Sequence, residues 1–103
     1  GINLAAADEK HIYVCNNRGA NKTAVAEQAV MLMLMVLRHA VTGHNRVLEG
    51  RQIEAKASWS MEGISELGSM HVGIIGMGDI GVETAKLLNA QEISVIAFTR
   101  KRI

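Results

Sequence analysis

The sequence has little with which to cross-link itself or to stack on bases. Cys15 is the single cysteine among 103 residues, and Tyr13, Trp59 and Phe98 are the only aromatic residues. One thiol excludes an internal disulfide and suits a reducing compartment, so we expect a cytoplasmic location. Scarce aromatic rings disfavour the stacking platforms that bind single-stranded nucleic acid. Proline is absent altogether.

Excess charge of one sign and long apolar runs are also lacking. Eleven Lys and Arg residues oppose ten Asp and Glu residues, which leaves a formal net charge of +1. This balance gives no electrostatic reason to expect nucleic acid or a membrane as a partner. The longest apolar run, residues 29–37, has nine residues, whereas a membrane-spanning helix needs about 20.

What the chain does contain is a strand, a glycine turn, a helix and a second strand in succession. The apolar run His71–Ile75 leads directly into Gly-x-Gly-x-x-Gly at 76–81. A helical pattern over Val82–Ala90 and a β-branched run over Ile93–Phe98 follow. The order of these elements within about 30 residues is typical of a dinucleotide-binding unit, and is much more specific than the glycines alone.

Each glycine of the turn has a physical task in such a unit. Gly76 allows the tight turn, Gly78 lets the backbone approach a pyrophosphate, and Gly81 lets the helix pack closely on the strand. The free N–H groups of Asp79 and Ile80 then open the helix at the positive end of its dipole and face the phosphates. A glycine-rich turn that binds nothing is the alternative.

The first half of the chain has weaker signals. We predict a helical turn over Ala5–Lys10, a short strand over Ile12–Cys15 and a connection over Asn16–Asn21. A long helix is predicted from Thr23 to His39 or beyond. Its apolar part, Ala29–Leu37, is apolar on every side and must therefore be covered on every side. An ordinary core helix and a helix at a junction between domains or subunits both satisfy that requirement.

The segment 40–68 is the least regular, and we predict an exposed arm with one helix that reaches about Glu49. Trp59 falls in this arm. Because its indole is large and apolar, we expect it to pack on a neighbouring subunit or domain. A surface position is the alternative.

Taken in order, these features resemble a known family. Asn21–Glu27, an apolar helix ending in Arg38, Trp59, Glu66-Leu67 and the run Val72–Gly81 are similar to the NAD(P)-dependent D-isomer-specific 2-hydroxyacid dehydrogenases. The resemblance covers almost the whole chain. Its most specific part is the combination of two motifs at this separation: Val-Ala-Glu at 25–27 and the run Val72–Gly81.

The resemblance implies an α/β fold: a partial Rossmann-type (βαβ) parallel sheet preceded by a long apolar helix. Residues 1–18 would be the end of the substrate-binding domain and the crossover. Residues 19–103 would be the incomplete N-terminal half of the NAD(P)-binding domain, with 40–68 as its arm. Both ends look cut, and two strands of about six are present. We therefore expect a fragment that is weakly stable alone, or that pairs with itself or another polypeptide.

The resemblance also implies hydride transfer between a nicotinamide cofactor and a 2-hydroxy or 2-oxo acid, with this segment binding the dinucleotide pyrophosphate. Val25 would lie near the nicotinamide. The family's catalytic arginine, glutamate and histidine have no counterpart here, so the chain alone should be inactive, and no metal ligand is predicted. The complete protein would take a small-molecule acid and form a homodimer through the long helix and arm. The alternative is a non-catalytic nucleotide-sensing or dimerisation module.

Two departures from the family pattern matter. Thr99 stands where an aspartate commonly contacts the ribose, and Arg100, Lys101 and Arg102 follow it. No carboxylate is then present to repel the 2′-phosphate of NADP, and cations lie nearby. We therefore predict NADP or NAD as cofactor, with NADP preferred, and we expect Thr99 and Arg100 to discriminate between the two. A solvated basic segment is the alternative.

The second departure is Glu92, which stands where the family usually has a glycine. A left-handed Glu92 would cost roughly 1 kcal/mol relative to glycine, unless Asn89 takes that conformation instead.

Overall fold

The computed structural model describes residues 1–54 and 63–100. Within these ranges the regular elements are α1 (Leu4–Glu9), α2 (Lys22–Leu37), α3 (Ala40–Leu48), β1 (His71–Ile75), α4 (Asp79–Asn89) and β2 (Ser94–Phe98). A 3-10 turn, Leu67–Ser69, precedes β1, and residues 52–54 are helical. The predictions on Trp59, Lys101 and Arg102 lie outside the described residues.

The two strands form a parallel sheet that α4 connects. Their register runs from His71 opposite Ser94 to Ile75 opposite Phe98. Parallel strands need a crossover of this kind, because a tight turn can join only antiparallel strands. The α/β class and the parallel βαβ unit predicted from the sequence are therefore confirmed, and β1 has the predicted bounds.

The core lies between α2, α4 and the sheet. Leu88 of α4 is fully buried, and Val30 of α2, Leu67 and Ile93 complete the central cluster. Met33, Leu37, Val72, Ile74, Leu87 and Val95 pack around it. α2 therefore packs one stripe of side chains against the βαβ unit.

The remaining faces of α2 are open in the described part of the chain. Only Ala26 and Val30 of this helix are buried, whereas the apolar side chains of Val25, Met31, Leu32, Leu34 and Val36 are exposed. The part of the helix from residue 29 to residue 37 is apolar on every side but covered on one side only. Its exposed faces are a large apolar surface of the kind that marks interfaces.

A sharp bend separates α2 from α3. His39 adopts a left-handed conformation with φ of 50°, which stops the helix after Leu37, and α3 leaves at 62°. Among the described helices none is by itself long and apolar enough to cross a membrane, while α2 and α3 meet that criterion only as a bent pair.

The prediction of a strand over Ile12–Cys15 is wrong. These residues have no regular structure, and Tyr13 is 96% exposed. A strand is stable only when a neighbour accepts and donates its backbone hydrogen bonds, and no described strand lies beside this segment. The preceding α1 holds no buried residue; the side chain of Asn3 caps it by accepting from the N–H of Ala6 at 3.1 Å.

The link between α4 and β2 turns at Glu92. Its φ is 59°, so Glu92 rather than Asn89 takes the left-handed conformation. The N–H of the next residue, Ile93, donates to the carbonyl of Leu88 at 3.1 Å and closes the helix. This turn buries Ile93, and burial of that side chain offsets the strain at Glu92.

Candidate functional site

An open cleft of about 580 Å³ lies at the carboxyl end of β1. The glycine turn and the start of α4 form one side, and the segment leading into α2 forms the other. Among its lining residues are Gly19, Asn21, Met33, Gly76, Gly78 and Ile80. In open α/β sheets, ligands bind beyond the carboxyl ends of the strands, which is where this cleft lies.

Two glycines of the turn are required by the backbone itself. Gly76 has a φ of +98°, which side chains rarely allow, and its N–H donates to the carbonyl of Phe98 at 2.8 Å, extending the sheet. A Cβ on Gly81 would collide with the carbonyl oxygen of Gly76 and lie 3.5 Å from Cγ2 of Ile74. Gly81 therefore lets α4 start directly against β1.

Gly78 is different, because the fold does not require it. Its φ of −82° suits any residue, and a Cβ there would meet no atom within 4 Å. Gly78 lines the cleft, so a Cβ there would occupy open space and not collide with protein. The missing side chain thus leaves room for a ligand beside the backbone, which fits a diphosphate.

The start of α4 supplies hydrogen-bond donors to this space. The first intrahelical bond runs from the N–H of Val82 to the carbonyl of Gly78 at 2.9 Å. The N–H groups of Asp79, Ile80 and Gly81 precede it and have no carbonyl within the helix to bond. No side chain caps the helix at Gly78. These amides and the helix dipole favour an anion.

Ion pairs join the two sides of the cleft. Nε of Arg18 donates to Oδ2 of Asp79 at 2.8 Å, and this bond with its charge attraction raises the pKa of the Arg18 guanidinium. Nζ of Lys22 lies 4.0 Å from Oε2 of Glu83. The start of α2 is thereby held beside the start of α4.

Sequence reasoning missed several residues at the cleft. Gly19, with φ of +77°, and Asn21 line it from the segment predicted as a connection. The available signal was the density of turn-forming residues in that segment. Thr84 also lines it, buried, with its hydroxyl donating to the carbonyl of Ile80 at 2.9 Å. No sequence signal marks Thr84.

The predicted site residues fall into two groups. Gly76, Gly78, Asp79, Ile80 and Gly81 all line the cleft. Val25, in contrast, lies near the start of α2 with an exposed side chain and is not among the lining residues.

Thr99 and Arg100 lie at the same edge of the sheet as the glycine turn. They follow Phe98 directly, and the register places Phe98 opposite Ile75. Thr99 therefore comes level with Gly76. Thr99 is half-buried and Arg100 is exposed. Within residues 1–54 and 63–100, no group of three or more His, Cys, Asp or Glu side chains could hold a metal ion.

Known proteins are similar to this chain in sequence. Residues 30–103 match the family described as D-isomer specific 2-hydroxyacid dehydrogenase, NAD binding domain. A hydroxypyruvate reductase from Thermotoga maritima is 39% identical over 97 residues, which are 94% of this chain and 30% of that protein. A D-3-phosphoglycerate dehydrogenase from Archaeoglobus fulgidus is 36% identical over 97 residues, which are 94% of this chain and 18% of that protein.

A solved structure shares the fold. An NADPH-dependent glyoxylate/hydroxypyruvate reductase from Sinorhizobium meliloti superposes with a TM-score of 0.78 at 28% identity, over 100% of this chain and 32% of that one. The chain thus spans less than a third of each of the three proteins. The family match covers well over half of the present sequence, and the chain belongs to the D-isomer-specific 2-hydroxyacid dehydrogenases.

Proposed function

We propose that this chain is the diphosphate-binding segment of an oxidoreductase that transfers a hydride between a nicotinamide cofactor and a 2-hydroxy or 2-oxo acid. The observation that carries the proposal is Gly78. It leaves cleft space that the fold does not need, directly before the unpaired amides of α4. This combination suits a bound diphosphate and has no evident structural purpose of its own.

In this function the residues of the chain bind the cofactor and orient it. The amides of Asp79 and Ile80 hold the diphosphate, and Gly76 and Gly81 fix the turn that aims them. The nicotinamide supplies the hydride chemistry when it is bound. Residues 1–18 would close the substrate-binding domain and 19–103 would begin the cofactor domain, with the catalytic residues outside this segment. A separate nucleotide-sensing or dimerisation role is less favoured, because the similar proteins are named as reductases and dehydrogenases.

The direct test is titration of the chain with NADH and NADPH, followed by the fluorescence of the reduced nicotinamide. We expect saturable binding to one site. Adenosine, which lacks the diphosphate, should compete with NADH only weakly. Absence of binding at millimolar dinucleotide would refute the proposal.

For cofactor choice, we propose a preference for NADP set by Thr99 and Arg100. Their position level with Gly76 supports this, since the adenosine ribose lies at the end of the second strand in such folds. The similar reductase from Sinorhizobium meliloti is named as NADPH-dependent. Thr99→Asp should weaken NADPH binding roughly tenfold or more, because it restores a carboxylate that repels the 2′-phosphate, and should spare NADH. Equal affinities of the unaltered chain for NADH and NADPH would end this idea.

We further propose a homodimer through α2 and the arm 40–68. The exposed apolar side chains of Leu32 and Val36 on α2 continue past the bend to Val41 on α3, which supports an interface there. Sedimentation should show a dimer, and Val36→Lys should shift it to a monomer because a buried lysine would be unpaired. A wild-type monomer with sharp, cooperative melting would contradict this arrangement.

A further inference from the structure

Arg18 is remote from the glycine turn in sequence but meets it in space. It precedes Asp79 by 61 positions, and its Nε lies 2.8 Å from Oδ2 of that residue. The guanidinium is 79% exposed and the carboxylate 42% exposed. The bond uses one N–H of the five that a guanidinium carries. Arg18 therefore places a cation at the mouth of the cleft.

The carboxylate of Asp79 creates an electrostatic problem for the proposed ligand. Asp79 is the first residue of α4 and lines the cleft, so a diphosphate held by the α4 amides would lie close to a like charge. The helix dipole offers only about half a positive charge at this end. An unpaired carboxylate here would oppose much of that attraction.

The local backbone is shaped to keep the pair together. Gly19 follows Arg18 in a left-handed conformation, and a Cβ on Gly19 would lie 3.6 Å from Oδ2 of Asp79. The Arg18–Gly19 turn thus packs directly on the carboxylate. A neighbouring ion pair joins Lys22, the first residue of α2, to Glu83, one turn further along α4.

We propose that Arg18 is a positioning residue of the dinucleotide site, which neutralises the Asp79 carboxylate so that a diphosphate reaches the α4 amides without a competing anion. This inference rests on the proposed function. Arg18 acts through Asp79 and not as a catalytic residue. The charges of Arg18 and Asp79 cancel in the intact protein. Removing the positive charge should weaken dinucleotide binding, and removing the negative charge should strengthen it.

The test is a charge cycle at positions 18 and 79, measured as the Kd of the 103-residue chain for NADH. Arg18→Gln should raise Kd roughly three- to tenfold, because it leaves one negative charge near the diphosphate. Asp79→Asn should lower Kd by a similar factor, and the double variant should return to within about twofold of wild type. Both single effects should shrink at high salt. Arg18→Lys, which keeps the charge, should bind within about twofold of wild type.

The matched control is Arg51→Gln. Arg51 is also an exposed arginine paired with carboxylates, those of Glu49 and Glu54, but it does not line the cleft. It should leave Kd unchanged, with circular dichroism confirming that each variant folds. Unchanged affinity in Arg18→Gln, or a double variant as weak as Arg18→Gln, would overturn the inference alone. If wild type binds no NADH, the proposed function fails and the inference falls with it.

Discussion

Two segments of this chain have much the same strand-forming composition but different structures. Ile12–Cys15 and Ile93–Phe98 are both short and rich in β-branched residues. The second contains β2, paired with β1 residue by residue, and begins with the buried Ile93. The first has no regular structure and an almost fully exposed Tyr13. Strand formation therefore depends on the partner that the rest of the chain supplies, more than on the segment itself.

The same contrast holds for the helices. α4 packs on one side against both strands of the sheet and on the other against α2, and it contributes Leu88 to the core. α1 depends on its own cap and buries nothing. We therefore expect substitutions at the tightly packed positions of the βαβ unit to destabilise the protein strongly, and substitutions in residues 1–17 to have little effect.

The largest expected effect is that of Gly81→Ala. The added Cβ would collide with the backbone of Gly76, so α4 must move off β1, and we expect a loss of more than about 3 kcal/mol in the free energy of unfolding. Urea denaturation followed by circular dichroism measures it. Gly43→Ala is the control: Gly43 lies within α3 with no atom near its would-be Cβ, and alanine should stabilise by up to about 1 kcal/mol. Similar effects of the two substitutions would contradict the close approach of α4 and β1.

Leu88→Ala should have the next largest effect. Leu88 is fully buried at the centre of the core, and its truncation should lower the free energy of unfolding by about 2–3 kcal/mol. The matched substitution in the first region is Leu4→Ala, at an exposed leucine of α1, which should change stability by less than about 0.5 kcal/mol. A large loss from Leu4→Ala would show that residues 1–17 are covered in solution, and the contrast between the regions would disappear.

Glu92→Gly should have the smallest effect and the opposite sign. Glycine has no strain at the φ of 59° observed here, so we expect stabilisation of about 0.5–1 kcal/mol. Gln91→Gly is the control beside it: no positive φ occurs at Gln91, and glycine there should destabilise slightly through the unfolded chain. Destabilisation by Glu92→Gly would show that the Glu92 side chain contributes more than its strain costs.

The βαβ unit could be predicted from sequence because its signals are local. The spacing of Gly76, Gly78 and Gly81 predicts the turn, and the apolar runs at 71–75 and 93–98 predict β1 and β2. The sequence narrowed the left-handed residue before β2 to Glu92 or Asn89, since helices commonly end in such a residue, and the structure has it at Glu92.

The parts that sequence did not reveal depend on contacts between distant residues. Arg18 and Asp79 meet across 61 positions, and no short pattern encodes that pairing. Ile12–Cys15 has the composition of a strand, but its partner would have to come from elsewhere.

Gly78→Val tests the central claim most directly, because Gly78 is the one glycine of the turn that the fold tolerates losing. A Cβ there would meet no atom within 4 Å and the φ of −82° suits any residue, so circular dichroism should show a folded chain within about 1 kcal/mol of wild-type stability. We predict that its Kd for NADH, measured by fluorescence titration beside Gly43→Val as control, rises at least tenfold because the side chain occupies the space of the diphosphate. A folded Gly78→Val that binds NADH as tightly as wild type would contradict the account.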